Sequence, residues 1–114
     1  MPIINKTQGS IIARRVWVAK TFFSRMVGLL GKASLKDEEA LIITNCASIH
    51  MFGMRFPIDA IFVSRDNRVV GLVENIRPFG VSKIFREASF VIELPTGTIQ
   101  SSQTKLGDVV EVKD

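Results

Sequence analysis

The chain has little cysteine or histidine and no tyrosine: one Cys and one His occur in 114 residues. The single Cys46 excludes an intramolecular disulfide and agrees with a reducing compartment. With only Cys46 and His50 as soft ligands, an all-protein tetrahedral zinc site within one chain is effectively excluded. The sequence therefore predicts neither a metal nor a cofactor.

Long apolar runs are also missing. No stretch approaches the roughly 20 apolar residues of a membrane span. The first six residues lack the basic start, apolar core and cleavage site of a secretory signal. These absences predict a cytoplasmic protein with no membrane contact. The length predicts a single domain over residues 1–114, large enough to bury a core without a disulfide.

Charge is unevenly distributed, although the net charge is only +4. Residues 1–36 hold seven basic residues and no acid, whereas residues 37–114 hold eight basic and eleven acidic residues, a balance of −3. The basic residues of the first part are Lys6, Arg14, Arg15, Lys20, Arg25, Lys32 and Lys36. This asymmetry predicts either a solvated basic strand and helix face or weak polyanion or nucleic-acid binding through the basic N-terminal third.

The pattern of apolar and β-branched residues favours strands over helices. Strands are predicted over residues 10–19, 40–44, 57–64, 69–76, 88–94 and 109–112. Along 57–64, alternation places Ile58, Ala60 and Phe62 on one face and Asp59, Ile61 and Val63 on the other. Residues 65–68 are predicted to form a turn, in which Asp66 and Asn67 tolerate a left-handed backbone. A short helix is predicted over 22–30 after Thr21, and a helical turn over 98–103 capped by Thr96. The predicted fold is mostly β (a β-rich α+β class): a compact, barrel-like or curled antiparallel sheet of about six short strands.

Residues 48–63 form the most informative segment, because His50, Arg55 and Asp59 interrupt an apolar run. A buried charge without a partner is very costly, so these groups must meet each other, other partners or a ligand. A further strand is predicted over 48–52, and Pro57 is expected to begin the next strand. If the two strands pack across the kink at Gly53, the three side chains converge.

Two interpretations of this segment involve no catalysis. In the structural one, Asp59 caps the turn at 52–57 or pairs with Arg25 or Arg55, and His50 is a satisfied core residue. In the binding one, Arg55 and His50 donate hydrogen bonds to a small anionic or polyhydroxyl ligand, Asp59 holds Arg55 in place, and Arg25 is a further member of the cleft.

A third interpretation is a small hydrolase in which His50 is a general base oriented by Asp59. Cys46 is the attractive nucleophile, but four residues before His50 it needs a kinked backbone to reach the imidazole. The chain has no Gly-x-Ser-x-Gly elbow and no phosphate-binding glycine-rich loop. The sequence therefore favours a non-catalytic binding or accessory domain over an enzyme.

Four segments, in order, resemble the motifs of the DUF192 family, small prokaryotic domains of unknown function. They are Arg25-Met-Val-Gly28-Leu-Leu, the run from Ser48 to Val63, Val91-Ile-Glu-Leu-Pro-x-Gly97, and Gly107-Asp108. Many members have Trp-Met-Lys-Asn-Thr where this chain has Phe52-Gly-Met-Arg-Phe. The resemblance covers about residues 15–112 and implies a compact, mostly β, barrel-like domain. It implies no activity, because the family has no established catalytic residues.

Overall fold

The strands predicted from the apolar pattern are largely present in the computed structural model, which describes residues 1–19, 35–44, 56–77 and 80–113. In these residues eight strands and one short helix are formed. The strands are β1 (Ile3–Asn5), β2 (Ser10–Ala13), β3 (Arg15–Ala19), β4 (Glu39–Thr44), β5 (Ile58–Ser64), β6 (Val69–Ile76), β7 (Ala88–Leu94) and β8 (Val110–Val112). The helix, α1, is Thr98–Ser101.

The strands form two sheets. The smaller has the order β2-β1-β8, and the larger has the order β3-β4-β7-β5-β6. All pairs are antiparallel except β3 and β4. Parallel pairing requires a connection of about a dozen residues or more, and residues 20–38 separate β3 from β4. The mostly β prediction is confirmed, and the described strands do not close into a barrel.

The predicted strand over 10–19 is two strands that belong to different sheets. The amides of Arg14 and Arg15 both donate to the carbonyl of Glu38, over 2.8 and 3.0 Å. This contact interrupts the strand at Arg14, and the chain passes there from the smaller sheet to the larger one. The two sheets are therefore joined by continuous backbone at one corner.

A second junction joins β6 to the segment before β8. The amide of Val69 donates to the carbonyl of Asp108, and the amide of Gly107 donates to the carbonyl of Val69, each over 2.8 Å. Gly107 has a φ of 86°, a left-handed conformation that suits a residue without Cβ. The chain turns away from β6 at this glycine, so the pairing is short.

The larger sheet is buried on both faces, and the alternation predicted along β5 is confirmed. Ile61 and Val63 lie on the inner face, which packs against the smaller sheet and α1; Ile58, Ala60 and Phe62 lie on the outer face. The inner cluster contains Ile3, Ile12, Ala13, Ala40, Ile42, Ile61, Val63, Val69, Ile92, Leu94, Ile99 and Val110. The outer cluster contains Ala19, Leu35, Leu41, Ile43, Phe56, Ile58, Ala60, Phe62, Ile76 and Val91.

Several local predictions can be compared with the structure. Asn67, in the predicted turn between β5 and β6, has a left-handed φ of 64°. The helical turn after Pro95 is present as α1, but its N-cap is Gly97 rather than Thr96. Strand β1 was not predicted. The helix predicted over 22–30 and the strand predicted over 48–52 lie outside the described residues. Within the described ranges, no helix has the length and apolar character needed to cross a membrane.

Candidate functional site

Asp59 is the one predicted site residue that the structure describes, and it is completely buried. Its Oδ1 accepts a hydrogen bond from the amide of Asn75 over 2.9 Å. Its Oδ2 accepts from the amides of Gly97 and Ile99, over 3.1 and 3.0 Å. Both carboxylate oxygens are therefore engaged by main-chain donors, and neither is exposed to a ligand.

These bonds explain why an acid occurs near the start of an apolar strand. Asn75 and Gly97 both have left-handed backbones, with φ values of 54° and 93°. Asp59 fixes these two turns and accepts from Ile99, whose amide lies at the start of α1 and has no intrahelical acceptor. The structural interpretation assigned Asp59 to the turn at 52–57 or to a pair with Arg25 or Arg55, all of which involve residues outside the described ranges. The described donors lie at the end of β6, at Gly97 before α1, and at Ile99 in α1.

The other predicted site residues, Arg25, His50 and Arg55, lie outside the described residues. The structure brings Asp59 into contact with none of the other described acids or bases. Of the predicted cleft, the structure thus describes Asp59 and the residues that border the segments carrying the other three.

A second buried carboxylate, Glu93, was not singled out from the sequence. It lies in β7 with no exposed surface. Its cross-strand neighbours are Leu41 on β4 and Ala60 on β5, and both belong to the outer cluster. Glu93 therefore projects from the middle of the sheet into its outer face. The sequence signals were a single acid within the mostly apolar run of 88–94 and its place in the third DUF192-like motif.

The outer face is also where the chain leaves and re-enters the described ranges. Ala19 and Leu35 border residues 20–34, and Phe56 follows residues 45–55. All three are buried members of the outer cluster. Three of the described residues that border the segments carrying Arg25, His50 and Arg55 therefore belong to the same cluster as the cross-strand neighbours of Glu93.

Asp108, in the Gly107-Asp108 motif, forms a hydrogen-bonded joint between the two ends of the fold. Its Oδ2 accepts from Asn5 Nδ2 over 3.0 Å, from Gln8 Nε2 over 3.1 Å and from the amide of Lys105 over 2.9 Å. Burial raises the pKa of Asp108, but the bonds from Asn5, Lys105 and Gln8 outweigh it and hold the pKa below its usual value. Across the described ranges, no group of three or more acids, His or Cys could hold a metal ion.

The sequence also matches a family model along most of its length. The DUF192 model, described as "Uncharacterized ACR, COG1430", matches residues 3–112. The chain belongs to the DUF192 family. A UPF0127 protein of Thermococcus sibiricus is 34% identical over 113 residues, covering 96% of this chain and 73% of the relative. A UPF0127 protein of Pyrococcus furiosus is 30% identical over 115 residues and covers 96% of both chains.

Two crystal structures are similar to this DUF192 chain. A protein of unknown function from Novosphingobium aromaticivorans superposes with a TM-score of 0.82 at 28% identity, covering 98% of this chain and 84% of that one. A putative transcription regulator from Sinorhizobium meliloti gives 0.78 at 22% identity, covering 96% and 89%, and at that identity it supports the fold alone. The DUF192 resemblance is confirmed, and these relatives establish no catalytic function.

Proposed function

We propose that this protein is a non-catalytic binding or accessory domain with a ligand cleft on the outer face of the larger sheet. In this proposal Arg25, His50 and Arg55 donate hydrogen bonds to a small anionic or polyhydroxyl ligand. The observation that carries it is the position of Glu93, a carboxylate with no exposed surface on that face.

The argument starts from the cost of burying charge. A carboxylate removed from water requires a cationic or hydrogen-bonding partner, since desolvation otherwise costs several kcal/mol. The segments attached to the outer face supply Arg25, His50 and Arg55. An arginine has five N–H donors in a planar fork, so it can hold a carboxylate with one edge and a ligand with another.

Glu93 thus takes the role that the sequence suggested for Asp59. Asp59 is less available to hold Arg55, because three main-chain amides already occupy most of the roughly four acceptor positions of its carboxylate. Glu93 is a positioning residue in this proposal, and it orients an arginine without contacting the ligand. Asp59 supports the cleft only through the position of β5.

A thermal-shift screen of phosphates, nucleotides, sugars and carboxylates, followed by calorimetry of the hits, tests the proposal. We expect Arg55→Ala to lower the affinity at least tenfold, about 1.4 kcal/mol, with little loss of stability. Glu93→Gln should also lower the affinity, because the neutral amide holds the arginine less firmly.

The matched control is Asp59→Asn, the same replacement of a carboxylate by an amide at a second acidic residue with no exposed surface. It should lower the unfolding temperature but leave the affinity of the folded protein unchanged. If Arg55→Ala mainly unfolds the protein, the arginine is a structural brace and the proposal is wrong. A screen in which no compound raises the unfolding temperature also contradicts it.

The two alternative functions have less support. The hydrolase requires Asp59 to orient His50, but three main-chain amides already bind the Asp59 carboxylate, which explains its burial without a catalytic role. The polyanion site requires free basic residues in the N-terminal third, but Arg14 already pairs with Glu38 over 2.9 Å. Retention on heparin that falls steeply with salt concentration would support polyanion binding.

We also propose a cytoplasmic location. A single cysteine, Cys46, agrees with a reducing compartment, where disulfides are rare. Fractionation of cells that express the natural gene tests this proposal. Recovery in the membrane or secreted fraction would contradict it.

A further inference from the structure

The edge of the larger sheet at β6 has features of a binding surface that is separate from the proposed cleft. β6 is the terminal strand of its sheet. Within the described ranges, no residue outside β5 forms a main-chain hydrogen bond with residues 70–74. A strand edge of this kind presents unpaired N–H and C=O groups that can bind another strand.

A cavity of about 500 Å³ lies beside this edge, and residues 70–73 all line it. Successive side chains of a strand point to opposite faces. A cavity touched by four consecutive residues therefore lies alongside the strand and not on one of its faces. A second cavity, of about 740 Å³, shares Leu72 and Leu106 with the first and continues to Glu74 and α1. We call the two together the edge groove.

The walls of the edge groove are apolar and unusually exposed. Val81 and Leu106 line the smaller cavity, and they are 72% and 65% exposed. Phe85 also lines it, and its ring packs against Phe62 with centroids 4.4 Å apart. Large aliphatic side chains with this much exposure beside an open strand edge mark an interaction site.

The chain itself already pairs with the beginning of this edge. Gly107 and Asp108 exchange main-chain hydrogen bonds with Val69. The pairing ends there because the chain turns away at Gly107, which places Leu106 in the wall of the groove. A bound segment would extend along β6 the main-chain pairing that Gly107 and Asp108 form with Val69.

The charges of the groove favour an acidic occupant. Among the described residues, Lys83 is the only charged one that lines the smaller cavity, and its Nζ lies 5.1 Å from the centre of the Phe85 ring. In the larger cavity Lys105 and Glu74 offset one another. A carboxylate of a bound segment is therefore best placed near Lys83.

We propose that the edge groove binds an extended segment of a partner protein, which adds to β6 as a further strand. Its main chain pairs with residues 70–74, which supplies affinity without sequence selectivity. Its apolar side chains lie between Val81 and Leu106, and an acidic side chain pairs with Lys83. The specificity is thus for an extended segment that alternates apolar and acidic residues.

The test is selection of seven-residue random peptides displayed on phage against the whole chain, followed by calorimetry of a synthetic winner. We expect the selected peptides to alternate apolar and acidic residues. Because the amides of a strand point alternately to its two sides, N-methylation along one edge of the peptide should weaken binding at least tenfold. N-methylation along the other edge should have little effect.

Two variants with matched exposure locate the site. Leu106→Asp should weaken peptide binding at least tenfold. Ile84→Asp should not, because Ile84 is also 65% exposed but lines neither cavity. Equal loss in both variants, or no effect of N-methylation on either edge, would overturn the proposal. So would selection without enrichment, or a wild-type dimer that Leu106→Asp dissociates, since the occupant would then be a second copy.

Discussion

Each face of the larger sheet contains a carboxylate with no exposed surface, Asp59 on the inner face and Glu93 on the outer face. On the inner face Asp59 is held by three amides of the main chain, and the smaller sheet covers the apolar residues around it. On the outer face Glu93 lies between Leu41 and Ala60, which belong to the same apolar cluster as Ala19, Leu35 and Phe56. The inner carboxylate therefore belongs to the fold, whereas the outer one, in our proposal, orients an arginine side chain.

In our proposal, one sheet separates the residues that stabilise the fold from those that bind a ligand. Main-chain donors persist whatever side chains the turns carry, so Asp59 can fix the turns without restricting their sequence. A carboxylate that orients a side chain depends on that residue being present. Substitutions on the inner face should mainly change the free energy of unfolding, and substitutions at Glu93 should change ligand affinity as well.

The largest effect is expected at Asp59. Asp59→Ala leaves the buried amides of Asn75, Gly97 and Ile99 without their acceptor, which should lower the free energy of unfolding by about 3–5 kcal/mol. Urea denaturation measures it. The control is Asp66→Ala, since the side chain of Asp66 is 73% exposed and its loss should change stability by less than about 1 kcal/mol. Equal losses of stability in the two variants would show that the buried hydrogen bonds of Asp59 stabilise the fold no more than an exposed carboxylate does.

A smaller effect is expected on the outer face at Gly71. A Cβ added there would lie 2.4 Å from the Phe85 ring, so Gly71→Ala should destabilise the protein by about 1–3 kcal/mol through overpacking. Thermal unfolding measures the change. In the background of Phe85→Leu, which removes the ring, Gly71→Ala should cost much less. Additive effects of the two changes would show that the ring is not the obstacle.

The smallest effect is expected at Asp108 and depends on pH. Its folded pKa lies below the ordinary value, so its stabilisation is complete above the unfolded pKa of about 3.9 and is lost as the pH falls through the folded pKa. Asp108→Asn should cost about 1 kcal/mol at pH 7 and less at pH 3. Urea denaturation at both pH values should show a smaller decrease in stability for the variant than for the wild type. An equal decrease in stability between pH 7 and pH 3 in both proteins would show that Asp108 does not contribute to this pH dependence.

Much of the larger sheet was predictable because its strands show strong periodic signals. Along β5 the alternation of apolar residues assigned each side chain to its face, and Pro57 marked the start of the strand. Asn67 was expected in the turn to β6 because asparagine tolerates a left-handed backbone. The short strand β1 was missed, since its three residues are too few for a period to be visible.

The hydrogen-bond partners of Asp59 could not be predicted. Its donors lie 16 to 40 residues away along the chain, and amide groups carry no residue identity that a sequence pattern could reveal. Glu93 was missed for a related reason: a single acid within a strand does not indicate which face it occupies until the pairing with Leu41 and Ala60 is known. The parallel pairing of β3 and β4 likewise depends on tertiary structure.

The smaller sheet has a consequence for the order in which the protein folds during its synthesis. Its central strand, β1, pairs with β2 nearby and with β8, and the bond between Asn5 and Asp108 spans 103 residues. Contacts between such distant residues form slowly, because the intervening loop must close first. The ribosome makes β1 before every other described strand and β8 after all of them. The inner face therefore lacks part of its cover until β8 emerges, and its exposed apolar residues are then most open to aggregation or chaperone binding.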